Sequence, residues 1–219
     1  MSGGVTDLSP WLALAGFGAY HGLNPGMGWL FAVALGLQQQ SGRAILAALL
    51  PIALGHAASL GLVAVVLGGA GAFLPLIALR WLTAAGLLAF GLYKLSTYYR
   101  HPRWVGMRVS ARQLCGWSCL MATAHGAGLM VAPLLLAMPA GEHSHAVFGT
   151  PVAPAAWAMG IGIHTLVMLL TMAGVAWLVY RRLGLAVLRR GWINFDLIWA
   201  IALLVVGTLA LLSEMYPRA

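Results

Sequence analysis

The sequence predicts an all-α integral membrane protein of six transmembrane helices, built as two three-helix units of opposite orientation. Three observations carry this expectation. Hydrophobic residues make up 62% of the 219-residue chain and charged residues only 7%, too little charge to cover a water-soluble domain. Six apolar stretches, roughly 10–37, 44–69, 73–97, 113–139, 152–180 and 193–213, are each long enough to cross a bilayer. The third observation is that the histidines of the first half recur in the second.

Charge placement sets the orientation. Ten of the twelve basic residues lie in alternate connections: Arg43 in the first, Lys94, Arg100, Arg103, Arg108 and Arg112 around the third, and Arg181, Arg182, Arg189 and Arg190 in the fifth. Basic odd loops and bare even loops predict that the odd loops are cytoplasmic and that both termini lie outside. The net charge of +8 is thus a matter of topology, and no nucleic-acid partner is expected. A multi-pass protein of the inner (plasma) membrane follows, with the lipid bilayer as its surroundings and a homo-oligomer as an open possibility. No basic segment precedes the first apolar run, so that span is expected to be retained rather than cleaved. Cys115 and Cys119, the only cysteines, are four apart. That spacing suits neither a zinc site nor a redox pair and predicts packing residues.

The repeat is read from matched positions. His21-Gly22 leads to Met27, and His125-Gly126 leads to Met130. Second histidines follow at His56 and His164, and aligning Gly91 with Gly207 sets Arg80 opposite Asp196. Repeat one covers about 10–97 and repeat two about 113–213 of a single membrane domain. An odd number of helices per unit makes the repeat inverted, the arrangement in which transporters place substrate near the midplane.

Each unit also carries helix-breaking chemistry beside its first histidine. Pro25 cannot donate to the His21 carbonyl, Pro133 leaves that of Leu129 without its usual donor, and Gly22, Gly26, Gly126 and Gly128 loosen the same turns. Span one is expected to break at Asn24–Pro25, because non-helical backbone at membrane depth belongs beside a buried site or a wet cavity.

The candidate site is therefore His21, His56, His125 and His164, converging on one polar cavity. Neutral imidazole is the commonest transition-metal ligand, and Met27 and Met130 add thioether sulfur that suits softer ions. No carboxylate accompanies the histidines in their spans, which disfavours Mg²⁺, Ca²⁺ and Mn²⁺. Asp196 and Arg80 are intramembrane charges that suit proton coupling or the substrate pathway, with interfacial placement as the alternative. Glu142, His143 and His145 form an outer-loop cluster suited to receiving a released ion.

The run His21-Gly22-Leu23-Asn24-Pro25-Gly26 resembles the first-helix motif His-Gly-Leu-x-Pro-Gly-His of NicO-type nickel/cobalt efflux proteins in the LysE superfamily. His56, after a stretch of small residues, is similar too. The resemblance covers roughly the first 70 residues and implies a six-helix exporter built from a three-plus-three repeat. Met27 stands where that family has its second histidine.

The expected function is a transporter exporting a transition-metal ion, copper, nickel and cobalt being undistinguished, or another small solute. A membrane metalloenzyme or haem/copper redox protein using the same histidines is the alternative, and a permease-like subunit supplying metal to another enzyme is a third.

Overall fold

Short polar turns and glycines divide the apolar sequence into eight α-helices among the residues that the computed structural model describes, 8–97, 110–138, 154–183 and 194–216. They are α1 (Ser9–Leu23), α2 (Trp29–Gln38), α3 (Gly42–Ala70), α4 (Leu76–Thr97), α5 (Ala111–His125), α6 (Ala127–Ala137), α7 (Pro154–Leu178) and α8 (Phe195–Met215). A 3-10 turn, Pro25–Met27, joins α1 to α2, and a π-helical turn, Val179–Leu183, extends α7. No strand occurs among the described residues. The fold is all-α.

Four helices, α3, α4, α7 and α8, are long and apolar enough to cross a membrane, and the bent pair α5/α6 makes a fifth candidate span. The expected first span is divided. Its parts, α1 with 15 residues and α2 with 10, each fall short of the roughly 17–25 residues a straight span needs.

The division has local causes. Pro25 opens the 3-10 turn, and Asn24 caps it by accepting the Gly26 N–H on Oδ1 at 2.9 Å. Gly28 follows at φ 123°, a conformation essentially closed to residues with a Cβ. The His21 carbonyl, which Pro25 cannot serve, accepts the Asn24 N–H at 3.2 Å. The turn itself thus satisfies the carbonyl that the proline leaves without its usual donor. Trp29 then reaches back from α2, its indole N–H donating to the Leu23 carbonyl at 3.1 Å.

In the second half α5 begins with a capping box between Ser110 and Gln113. It ends at Gly126, whose left-handed φ of 72° turns the chain by 71° into α6.

Close helix crossings assemble the bundle. A Cβ at Gly18 of α1 would overlap the His164 carbonyl of α7, and one at Gly55 of α3 would overlap the Cys115 carbonyl of α5. Gly91 of α4 and Gly207 of α8 face one another's helices in the same way. Small residues at these points let backbones approach, the main source of attraction between helices in lipid. Cys115 and Cys119 are free thiols whose backbone forms the α5 side of the α3 crossing, in keeping with a packing role. Leu12, Val65, Leu120 and Leu170 point outward, a surface that hydrocarbon tolerates and water does not.

Candidate metal centre

Each histidine reaches its place through its helix. His21 lies near the end of α1, one turn before the break; His56 lies midway along α3, and His164 in the first half of α7. Gly18 brings α1 onto the backbone of His164 itself. The three rings consequently meet, with centroids 5.3 Å apart for His21–His56, 4.8 Å for His21–His164 and 5.5 Å for His56–His164. All three side chains are at most 1% exposed.

Hydrogen bonding assigns protons to two of the rings. His21 Nδ1 lies 2.7 Å from the Phe17 carbonyl and His164 Nδ1 lies 3.1 Å from that of Leu14. A carbonyl only accepts, so each Nδ1 carries the proton and each Nε2 presents a lone pair. The His21 Nε2 is buried with no hydrogen-bond partner among the described residues. His56 Nε2 and His164 Nε2 are 3.3 Å apart, so in the neutral protein His56 donates to His164. Backbone carbonyls that accept the other ring N–H and orient the imidazole are a usual second layer of a metal site.

The spacing suits a bare ion. One donor nitrogen from each of the three residues lies within 4.8 Å of the others. Metal–nitrogen bonds of about 2.0 Å require donors roughly 3.3–3.5 Å apart in tetrahedral or trigonal geometry. The His56–His164 pair, once the His56 proton moves to Nδ1, already has that separation, and the third ring needs about 1.5 Å of closure at most. A haem between His56 and His164 would need those rings moved well apart.

The fourth histidine stands outside this three-residue group. His125, at the end of α5, repeats the local geometry of His21: its Nδ1 donates to the carbonyl four residues back, that of Met121, at 2.8 Å. Its Nε2 faces the break in the first span, 3.6 Å from where a Cβ on Gly26 would lie. Trp199 of α8 stands between the two, edge-on to His21 at 4.6 Å and to His125 at 5.8 Å. Its indole N–H donates to the His125 carbonyl, and Tyr20 stacks on its ring at 5.4 Å. The expected four-histidine convergence is, among the described residues, a close group of three, with His125 adjoining it across Trp199. The sequence does not mark out Trp199, one of nine tryptophans, since nothing in its apolar neighbours distinguishes a site wall from core.

The other expected site residues have separate places. Met27 and Met130 are buried together with Leu87, Trp199 and Leu203, on the Trp199 side of the histidines. Asn24 and Pro25 shape the break. Arg80 donates to Glu214 at 3.5 Å and to the Leu136 carbonyl at 3.2 Å. Glu214 is fifteen residues beyond Trp199, about 22 Å along α8, so Arg80 belongs to the far end of the bundle. There, with Pro133, Leu209, Ser213 and Glu214, it lines a cavity of about 760 Å³. Asp196 lies in the first turn of α8, its side chain outside the described residues, as are Glu142, His143 and His145.

No family model, no curated protein and no solved structure matches this chain.

Proposed function

We propose that this protein is a multi-pass transporter that moves a soft transition-metal ion across the membrane, with His21, His56 and His164 as the binding site. The observation that carries the reading is the buried convergence of three imidazoles, two with their lone pairs assigned and one of those without a partner among the described residues. Leaving such a nitrogen unpaired in an apolar bundle costs about 1–3 kcal/mol, a cost that binding an ion offsets.

The donor set bears on which ion. Three neutral nitrogens, with no carboxylate in the group among the described residues, leave the full charge of the ion on the complex. The desolvation cost of a buried charge rises with its square, so a divalent ion is penalised about four times as heavily as a univalent one. Imidazole also suits Cu(I). The substrate class is therefore a univalent soft ion, Cu(I) or its analogue Ag(I), ahead of Ni²⁺ and Co²⁺. The resemblance of His21–Gly26 to the NicO-type motif supports export as the direction. Met27, in place of the motif's second histidine, fits the softer preference.

Three observations support an inverted repeat of two three-helix units. In both halves a 15-residue helix carrying the first histidine breaks into a shorter one of 10 or 11 residues. His21 and His125 make the same hydrogen bond to the fourth carbonyl back. At the α4–α8 crossing the contacts exchange: a Cβ on Gly91 would lie 2.9 Å from Leu204 Cγ, and one on Gly207 would lie 3.1 Å from Leu88 Cγ. The alignment of Gly91 with Gly207 also pairs Leu88 with Leu204. Reciprocal contacts of that kind are the signature of a two-fold relation.

Flux is the direct test. Proteoliposomes holding the purified protein are expected to move Cu(I) or Ag(I) faster than Ni²⁺ or Co²⁺. Retention of one copper per chain through purification, with no flux, would instead favour a fixed redox or catalytic site. Orientation has its own test. In a Cys115→Ser/Cys119→Ser background, Ser213→Cys is expected to label from outside and Ser110→Cys from the cytoplasm; the reverse pattern would overturn the topology.

A further inference from the structure

Resting on the repeat and on the metal site just proposed, we infer that the protein holds its ion in two alternative ligand sets, His21/His56/His164 and His125/His56/His164. His21 and His125 exchange as the third ligand when the bundle changes the side to which it opens.

The symmetry of the four histidines leads to this. His56 and His164 occupy matched positions in the two units, and their rings stack at 5.5 Å with planes 10° apart and Nε2 atoms 3.3 Å apart. Matched residues in direct contact lie on the axis relating the units, and exchanging the units' conformations maps this pair onto itself. His21 and His125 are also matched, yet only His21 belongs to the central group. One half therefore contributes its first histidine while the other does not, and a transporter built from inverted repeats has a second state in which those roles are reversed.

The local geometry fits both roles to both residues. Each of these histidines donates through Nδ1 to its own helix, at 2.7 and 2.8 Å, so in each the nitrogen turned away from its own backbone is Nε2. Each lies beside a break, the 3-10 turn at Pro25–Met27 or the αL residue Gly126, where the helix changes direction. Trp199 touches both rings, so a movement of α8 relative to α1 and α5 changes which one it shields. The three-ligand count is kept in each state, and the ion stays on His56 and His164 as access alternates.

Cu(I) binding to the full-length protein in detergent, measured anaerobically against the chromogenic chelator bicinchoninate, tests the inference. Asparagine is the substitution of choice because its amide nitrogen replaces Nδ1, keeping the backbone hydrogen bond while removing the Nε2 ligand. His21→Asn and His125→Asn are each expected to keep one Cu(I) per chain with affinity lowered about tenfold or less, since one competent state remains. The double variant and His56→Asn should each lose about 100-fold or more. A His125→Asn protein with wild-type affinity, beside a His21→Asn protein as weak as the double variant, would overturn the exchange and leave the single site standing. Wild-type affinity in His56→Asn, or no Cu(I) bound by the wild type, would overturn the metal site itself. Size-exclusion profiles and thermal midpoints of the same samples identify misfolding; where an asparagine variant misfolds, the alanine variant at that position replaces it. X-ray absorption on the folded variants counts the nitrogen ligands: a count that falls in His21→Asn and is unchanged in His125→Asn would sink the proposal.

Discussion

His164→Asn is expected to abolish metal transport while leaving a folded protein. His164 has two separable tasks. Its Nδ1–H holds the Leu14 carbonyl at 3.1 Å, tying α7 to α1, and its Nε2 faces His56 at 3.3 Å. Asparagine retains a donor near the first position and none at the second. His164→Ala removes both, leaving the Leu14 carbonyl without its partner at an added cost of about 1–3 kcal/mol. Flux in proteoliposomes should fall by roughly 100-fold or more in both variants, as loss of one of three ligands implies. Only the alanine variant should lower the thermal midpoint, by about 2–4 °C per kcal/mol for a chain of this size. Full flux in His164→Asn would remove His164 from the ligands. Equal destabilisation by both substitutions would make the ring a packing element.

Gly18→Val is expected to disrupt both fold and site. An ideal Cβ at Gly18 would overlap the His164 carbonyl and lie 3.2 Å from the Met168 amide nitrogen. Both are backbone of a packed helix and cannot turn away as a side chain would. The only relief is to lift α1 from α7, which carries His21 away from His164 and lengthens the Leu14 bond. Overpacking costs about 1–3 kcal/mol and more where backbone must move, so a fall of about 6–10 °C in the thermal midpoint is expected, with loss of metal affinity. Gly16→Val, on the same helix with open space around it, is the control and should change neither. A Gly18→Val protein with wild-type midpoint and affinity would contradict the close crossing.

The histidine group is partly legible in the amino-acid sequence. A ring nitrogen in an apolar run is expensive unless it is used, and four such residues at matched positions in two halves point to a common site. Which of them meet is not legible there. His21 and His125 share the same local sequence logic, Nδ1 bonded one turn back and a break just beyond. Only the packing of Trp199 and the direction of each kink separates them.

Arg80 shows the same limit. Its charge within an apolar stretch marks it for attention, but its place beside Glu214 and the Leu136 carbonyl depends on where the ends of α4, α6 and α8 come together. Residues 80 and 214 have no relation along the chain that would announce it. Trp199 is the converse. A buried indole between two histidines is central to the site, yet in sequence it is one more aromatic residue in a run that must be apolar for other reasons.

Composition and local backbone chemistry are enough to specify the helices and their interruptions. Apolar length makes membrane helices, because an unpaired peptide group is intolerable in hydrocarbon. Asn24, Pro25 and Gly28 make the break in the first span, because proline lacks a donor and only glycine adopts φ 123°. Which faces of those helices meet is settled only by their packing in three dimensions. Lipid offers no contrast between an outward leucine and an inward one, so apolar helices carry little pattern to say which side packs. That choice rests on shape, on glycines such as Gly18 and Gly55 that let one backbone reach another. It is this close approach that brings three of the four histidines together and leaves the fourth beyond Trp199.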